Sequence, residues 1–376
     1  MSKRIYFVAG EASGDTHGAA LMTALRELQQ DIGFVGRGGP RMKAVADVEF
    51  TDWSDRSAVL GLWEVLKQYG YFRRQFAATL REVREQRPDA VLLIDYPGFN
   101  LRLARALRGQ FPTLKIIYYI SPQVWAWNRK RIPQMARYLD LMLCIFPFEA
   151  ELYNKSGLRT VFVGHPMLET LKHKRLNGER NANLIGLFPG SRMREIRKIL
   201  PVMVRAAERV SAAKPNLCFE VAAASPRLAG EIQRMFQRSR VPADSLRITM
   251  GEASATMQRA QVGIVASGTA TLEAAYFRMP FVVVYRVAWL TYFAAWMVVK
   301  VKHVGMPNVL AQREIVPEYI QHRARPAAVA GAVTRLLEQP NERETMVTEF
   351  DRVVAQLGEG AASAQAAKVV LSAIGS

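Results

Sequence analysis

The sequence predicts an α/β protein built from two doubly wound domains, each a parallel sheet covered by helices on both faces. Three observations carry this. Short apolar runs rich in Val, Ile, Leu and aromatic residues alternate with stretches of helical periodicity almost throughout. The runs fall into two sets, separated by a polar segment at residues 165–183 that has little apolar pattern. Several runs end in a Gly- or Pro-containing turn that opens a helix, the layout found at the ligand-binding edge of doubly wound sheets.

In chain order, the first set is RIYFVA from Arg4, FVG at Phe34, AVLLID from Ala90, KIIYYI from Lys115, LMLCIF from Leu141 and TVFVG from Thr160. The second is LIGLFPG from Leu184, LCFEVAAA from Leu217, LRITM from Leu246, VGIVAS from Val262 and FVVVYR from Phe281. The tail from Pro326, rich in Ala, Leu, Val and Glu, reads as helical. The expected organisation is an N-terminal domain at 1–170, a C-terminal domain at 171–325 facing it across a cleft, and a helical tail at 326–376. At 376 residues, half of them apolar, the chain can bury two such cores.

A net charge of +18 favours anionic partners: nucleic acid, phosphorylated metabolites or an acidic membrane face. Cys144 and Cys218 make no metal or redox spacing, which fits a reduced cytosolic protein. The apolar run at the N-terminus is too short for a signal peptide, and no stretch reaches the roughly 20 apolar residues a spanning helix needs. Two aromatic-rich stretches flanked by cations have the character of membrane-surface segments or of core helices. One, from Ser57, sets Leu62, Trp63, Leu66 and Phe72 at helical spacing; the other runs from Val287.

The second half carries two turns suited to anions. Pro189-Gly190-Ser191-Arg192 joins a strand to a helix, where a glycine admits close backbone approach and Arg192 can fork onto phosphate oxygens. Ser267-Gly268-Thr269 repeats the layout with Thr269 as the expected N-cap, and Glu273 lies one turn on, placed for a ribose hydroxyl pair. Two such turns point to a nucleotide diphosphate held by cations and helix ends. Asp244 and Asp351, the aspartates of this half, are not placed for a magnesium-diphosphate, so no metal and no cofactor is expected; loss of activity on adding a chelator would contradict this.

The first half offers carboxylates, hydroxyls and aromatics. Asp95 sits at a strand tip before Pro97-Gly98, with Asn100 as the expected cap of the next helix, and Glu11, Ser13, Asp15 and His17 follow the first strand on the same edge. A carboxylate so placed can take a proton or orient a hydroxyl, and it can equally bond its own turn. Ser121, Gln123 and Trp125 follow a further strand; the tryptophans there either face a sugar or pack the domain.

These residues match a known family. GEASGD at 10–15, GGPRM at 38–42, IDYPGFN at 94–100, SPQVWAW at 121–127, GHPM at 164–167, PGSR at 189–192, SGTATLE at 267–273 and MPN at 306–308 resemble, in order and over essentially the whole chain, the lipid-A-disaccharide synthases. The resemblance implies a GT-B-type fold of two Rossmann-like domains, with the nucleotide sugar in the C-terminal one. It implies an inverting transfer from UDP-2,3-diacylglucosamine to 2,3-diacylglucosamine 1-phosphate (lipid X), giving a β-1′,6-linked disaccharide and UDP. It further implies a peripheral place on the cytoplasmic face of a Gram-negative inner membrane, and a homodimer that exchanges C-terminal helices. On this reading Asp95 takes the acceptor proton, with His17 and Asp15 as the alternatives. Arg192, Gly190, Ser191, Ser267, Gly268, Thr269, Glu273 and Asn308 hold the UDP-sugar, while Glu11, Ser13, Asp15, Asn100, Ser121, Gln123 and Trp125 lie on the acceptor side. A UDP-sugar epimerase or another glycosyltransferase on the same frame is the rival within enzymes. A basic nucleic-acid-binding protein is the rival outside them, and no binding motif for nucleic acid is found in the sequence.

Overall fold

The structure, a computed structural model, describes residues 3–47, 49–53, 69–287 and 302–375. Leu62, Trp63 and Leu66, and most of the apolar stretch from Val287, lie outside the described residues. The chain divides into two compact units, Met1–Leu168 with Leu357–Ser376, and Glu169–Gln356.

The first unit is a seven-stranded parallel sheet in the order β3-β2-β1-β4-β5-β6-β7. Its strands are β1 (Arg4–Ala9), β2 (Gly33–Gly38), β3 (Phe50–Asp52), β4 (Ala90–Ile94), β5 (Lys115–Tyr119), β6 (Leu141–Cys144) and β7 (Thr160–Phe162). Because successive side chains point to opposite faces, near-continuous apolar runs serve two cores at once. Ile5, Phe7, Ala9, Leu92, Ile94, Ile117 and Tyr119 pack on one side with helices Ala12–Leu28 and Ala362–Gly375. Tyr6, Val8, Val91, Leu93, Ile116 and Tyr118 pack on the other with helix Pro97–Gln110. Phe72, expected at a membrane surface, is partly buried against this second cluster from helix Tyr69–Gln86.

The second unit is a six-stranded parallel sheet, β10-β9-β8-β11-β12-β13. Its strands are β8 (Asn181–Phe188), β9 (Cys218–Ala223), β10 (Leu246–Met250), β11 (Ala260–Ala266), β12 (Phe281–Tyr285) and β13 (Glu318–Ile320). Helix Met193–Ala213 buries Ile196, Ile199, Leu200, Met203, Ala206, Ala207 and Val210, the stripe expected of 3.6-residue periodicity. The tail expected as one segment is divided: helices Pro326–Glu338 and Pro340–Ala355 belong to this unit, and Ala362–Gly375 to the first. Among the described residues no helix is long and apolar enough to cross a membrane.

Candidate active site

In both sheets the innermost pair consists of the unit's first and fourth strands in sequence, β1 with β4 and β8 with β11. This pair marks the switch point at whose carboxyl ends such folds bind ligands. At the first sheet's edge the chain leaves β4 through two consecutive residues in left-handed backbone, Asp95 (φ 45°) and Tyr96 (φ 51°). Non-glycine residues there cost about 1–3 kcal/mol each, so the surroundings must over-determine them. They do. The Asp95 amide donates to Tyr119 O at 2.9 Å, and the Asp95 carbonyl accepts from the Tyr118 hydroxyl at 2.5 Å and from Asn100 Nδ2 at 2.8 Å. All these bonds use the Asp95 backbone. Burial, and then the nearby Glu11 carboxylate, push the Asp95 carboxyl up to about 6, against the Tyr96 amide that holds it down.

Asn100, expected on the acceptor side, is fully buried, and its Nδ2 donates to Ile94 O at 3.1 Å as well as to Asp95 O. It is a strut under the Asp95 turn. Asp15 is likewise a builder of the site: its Oδ1 accepts from Gly39 N at 3.0 Å and Met42 N at 2.8 Å, and its Oδ2 from Arg41 N at 3.1 Å. It thereby caps helix Pro40–Val45, and a Cβ on residue 39 would come within 2.5 Å of the Asp15 carboxylate carbon, which explains the glycine there. Both Asp15 oxygens are engaged, which weakens its claim to the proton. His17 is half-buried and pushed below its usual range by burial; His165, buried and close to it, is pushed down to about 4, so both imidazoles are neutral at pH 7. Ser13 is exposed and Glu11 half-buried.

Trp125 does not present a stacking face: it is buried, edge-on to Phe148 with ring centroids 4.9 Å apart, and its Nε1 donates to Glu149 Oε1 at 2.8 Å. Ser121 is buried beside it, whereas Gln123 is exposed. Glu149, which sequence reasoning did not single out, is fully buried; burial pushes its carboxyl up to about 7 despite hydrogen bonds from the Trp125 indole and the Phe146 amide. The sequence signal was its third position in helix Pro147–Asn154, where a glutamate reaches back to the preceding amide, here Phe146 N at 3.2 Å.

At the second sheet's edge, β8 leads through Gly190 (φ 105°) into helix Met193–Ala213. Here Glu195 Oε2 accepts from the Ser191 and Arg192 amides at 3.0 and 3.2 Å. The turn amides expected to cradle phosphate are therefore occupied by the chain's own carboxylate. The Arg192 guanidinium is exposed, 3.7 Å from Glu195, and is the group this turn offers to an anion. In the neighbouring turn Gly268, not Thr269, is the N-cap of helix Thr269–Tyr276; Gly268 and Thr269 are exposed, and the Ser267 hydroxyl donates to Val304 O at 2.7 Å. Glu273 is half-buried on that helix and accepts from Ser254 Oγ at 2.6 Å. Asn308 lies apart from these groups in function: fully buried, it donates to Val316 O at 2.7 Å and Glu318 Oε1 at 2.8 Å and accepts from Ile315 N and Val316 N at 2.8 and 2.9 Å. It has no capacity left for a diphosphate. Among the described residues no group of three or more His, Cys, Asp or Glu is placed to hold a metal ion.

Two parallel Rossmann-like sheets, one rich in buried titratable groups and one with strand-to-helix turns bearing exposed cation and hydroxyl groups, define the GT-B class. A UDP-N-acetylglucosamine 2-epimerase from Neisseria meningitidis, solved with UDP-N-acetylglucosamine, superposes at TM-score 0.61 with 11% identity over 99% of this chain and 100% of its own. The calicheamicin glycosyltransferase CalG4 does so at TM-score 0.57 with 15% identity over 99% and 98%. Within that class, the family model for lipid-A-disaccharide synthetase matches residues 5–372. A lipid-A-disaccharide synthase of Myxococcus xanthus is 39% identical over 98% of this chain and 97% of its own. The chain belongs to the lipid-A-disaccharide synthase family and is a glycosyltransferase of lipid A biosynthesis.

Proposed function

We propose that the protein joins UDP-2,3-diacylglucosamine to lipid X by a single inverting displacement, with the acceptor on the first unit and the UDP-sugar on the second. The observation that carries the assignment of roles is Asp95: a half-buried carboxylate at the switch point, on a strained turn held through its backbone, with a proton affinity lifted toward neutrality. The acceptor 6-hydroxyl oxygen forms the bond to the anomeric carbon, its proton passes to the Asp95 carboxylate, and the anomeric C–O bond breaks with its electron pair leaving on UDP. Arg192, with the Ser191 hydroxyl and the exposed Gly268–Thr269 turn, stabilises the charge that grows on the diphosphate, and Glu273 holds the ribose. His17 is the reserve base. Incubating the protein with both acylated substrates and no added metal should yield disaccharide and UDP in equal amounts, and release of neither product overturns the reading. Epimerisation of the UDP-sugar without acceptor would favour the rival enzyme.

Peripheral attachment to the anionic cytoplasmic face of a Gram-negative inner membrane is part of the same proposal, supported by the net charge of +18 and by substrates that carry acyl chains. Replacing Leu62, Trp63 and Leu66 by serine should release the protein from anionic vesicles in a sedimentation assay. A homodimer is proposed with it; light scattering that reports a single chain would refute this.

A further inference from the structure

The loop Ser121–Trp125 leaves β5 beside the Asp95 turn, because β4 and β5 pair in register with Ile94 opposite Tyr119. It starts from a left-handed residue, Ile120 (φ 65°), and of its five residues Ser121, Pro122, Val124 and Trp125 are buried while Gln123 is exposed. It is anchored from within the unit. The Tyr153 hydroxyl donates to Pro122 O at 2.6 Å, the Val124 amide donates to the same carbonyl at 2.6 Å, and the Trp125 indole donates to Glu149 Oε1 at 2.8 Å. Glu149 has no ion pair among the described residues, so its burial is expensive unless a particular geometry requires it. The geometry does: its two oxygens each face an N–H, from Trp125 and from Phe146, and a glutamine would turn an NH2 toward one of them.

We propose that Glu149 is a positioning residue for acceptor recognition, holding the Ser121–Trp125 loop through the Trp125 indole so that the Gln123 carboxamide faces outward beside Asp95 and binds a polar group of the acylated sugar acceptor. A carboxamide both donates and accepts, which matches hydroxyl and acyl-amide groups of such a sugar. The inference rests on the glycosyltransferase reading above.

The test is steady-state kinetics with lipid X varied at saturating UDP-sugar, alongside calorimetric UDP binding and thermal melts. Gln123→Ala should raise the acceptor KM roughly three- to tenfold, the effect of one neutral hydrogen bond, with UDP affinity unchanged. Glu149→Gln and Trp125→Phe should each raise the same KM, and the double variant should be no worse than the poorer single one, since both break one anchor. Should Glu149→Gln fail to fold, Trp125→Phe still carries the test, because it keeps an aromatic ring in the site and removes the donor, with the melts reporting the cost of the smaller ring. An unchanged acceptor KM in Gln123→Ala, or a parallel loss of UDP and acceptor affinity in Glu149→Gln or Trp125→Phe, overturns the proposal. A parent protein that forms no disaccharide overturns the reading beneath it, whereas an active parent with unaffected variants overturns this inference alone.

Discussion

The two sheet edges share a topology and differ in what they do with charge. At the first, Asp95, Glu149, His17 and His165 are wholly or partly buried and their proton affinities are displaced, with strained backbone at Asp95. At the second, Arg192 is exposed and Gly268 and Thr269 face outward. Burial is what changes a group's chemistry, and exposure is what lets a guanidinium meet an anion. On the proposed roles, the same frame provides a reacting edge and an anchoring edge.

That contrast can be broken by substitution. Asp95→Asn should cost the most, lowering turnover by about 10²–10⁴-fold while UDP affinity measured by calorimetry stays within twofold. Retained turnover would move the base to His17 or Asp15, within the same edge. Asn308→Ala should reduce stability by about 2–4 kcal/mol in denaturant melts, because it orphans several buried backbone groups. A loss of UDP affinity in a fully stable Asn308→Ala protein would return that residue to the anchoring edge. Arg192→Ala should weaken UDP binding by about 10–100-fold, the worth of a charge-assisted hydrogen bond. The smallest effect is on pH dependence. Since Asp95 must be ionised to accept a proton and its carboxyl is pushed up to about 6, kcat/KM should fall as pH drops through about 6 instead of about 4. An inflection near 4 would mean that burial is not tuning this carboxylate.

Most of this architecture is legible in the residues. Every central strand has an apolar run long enough to recognise; the two unforeseen strands, β3 and β13, are three-residue edge strands, too short to establish any period. The candidate site was legible as a set of turns and less so as roles. Asp15, Asn100 and Asn308 look the same in sequence whether they face a ligand or bond nearby backbone, and for these three the backbone prevails. Glu195 and Glu149 each stand at the third position of a helix, a visible capping signal. What no local pattern could reveal is that Glu149 would meet the indole of Trp125, which is 24 residues away.

Ala366, Ala367 and Val370 of the last helix are part of the core of the first unit, packed with Ile5, Phe7 and Leu21. On the ribosome, the second unit can therefore close before the first is complete, although the first begins to emerge earlier. Until residues 362–375 have been made, one face of the nascent N-terminal sheet waits uncovered. A message cut short in its final codons would yield a chain whose second unit is finished and whose first unit invites chaperones and proteases.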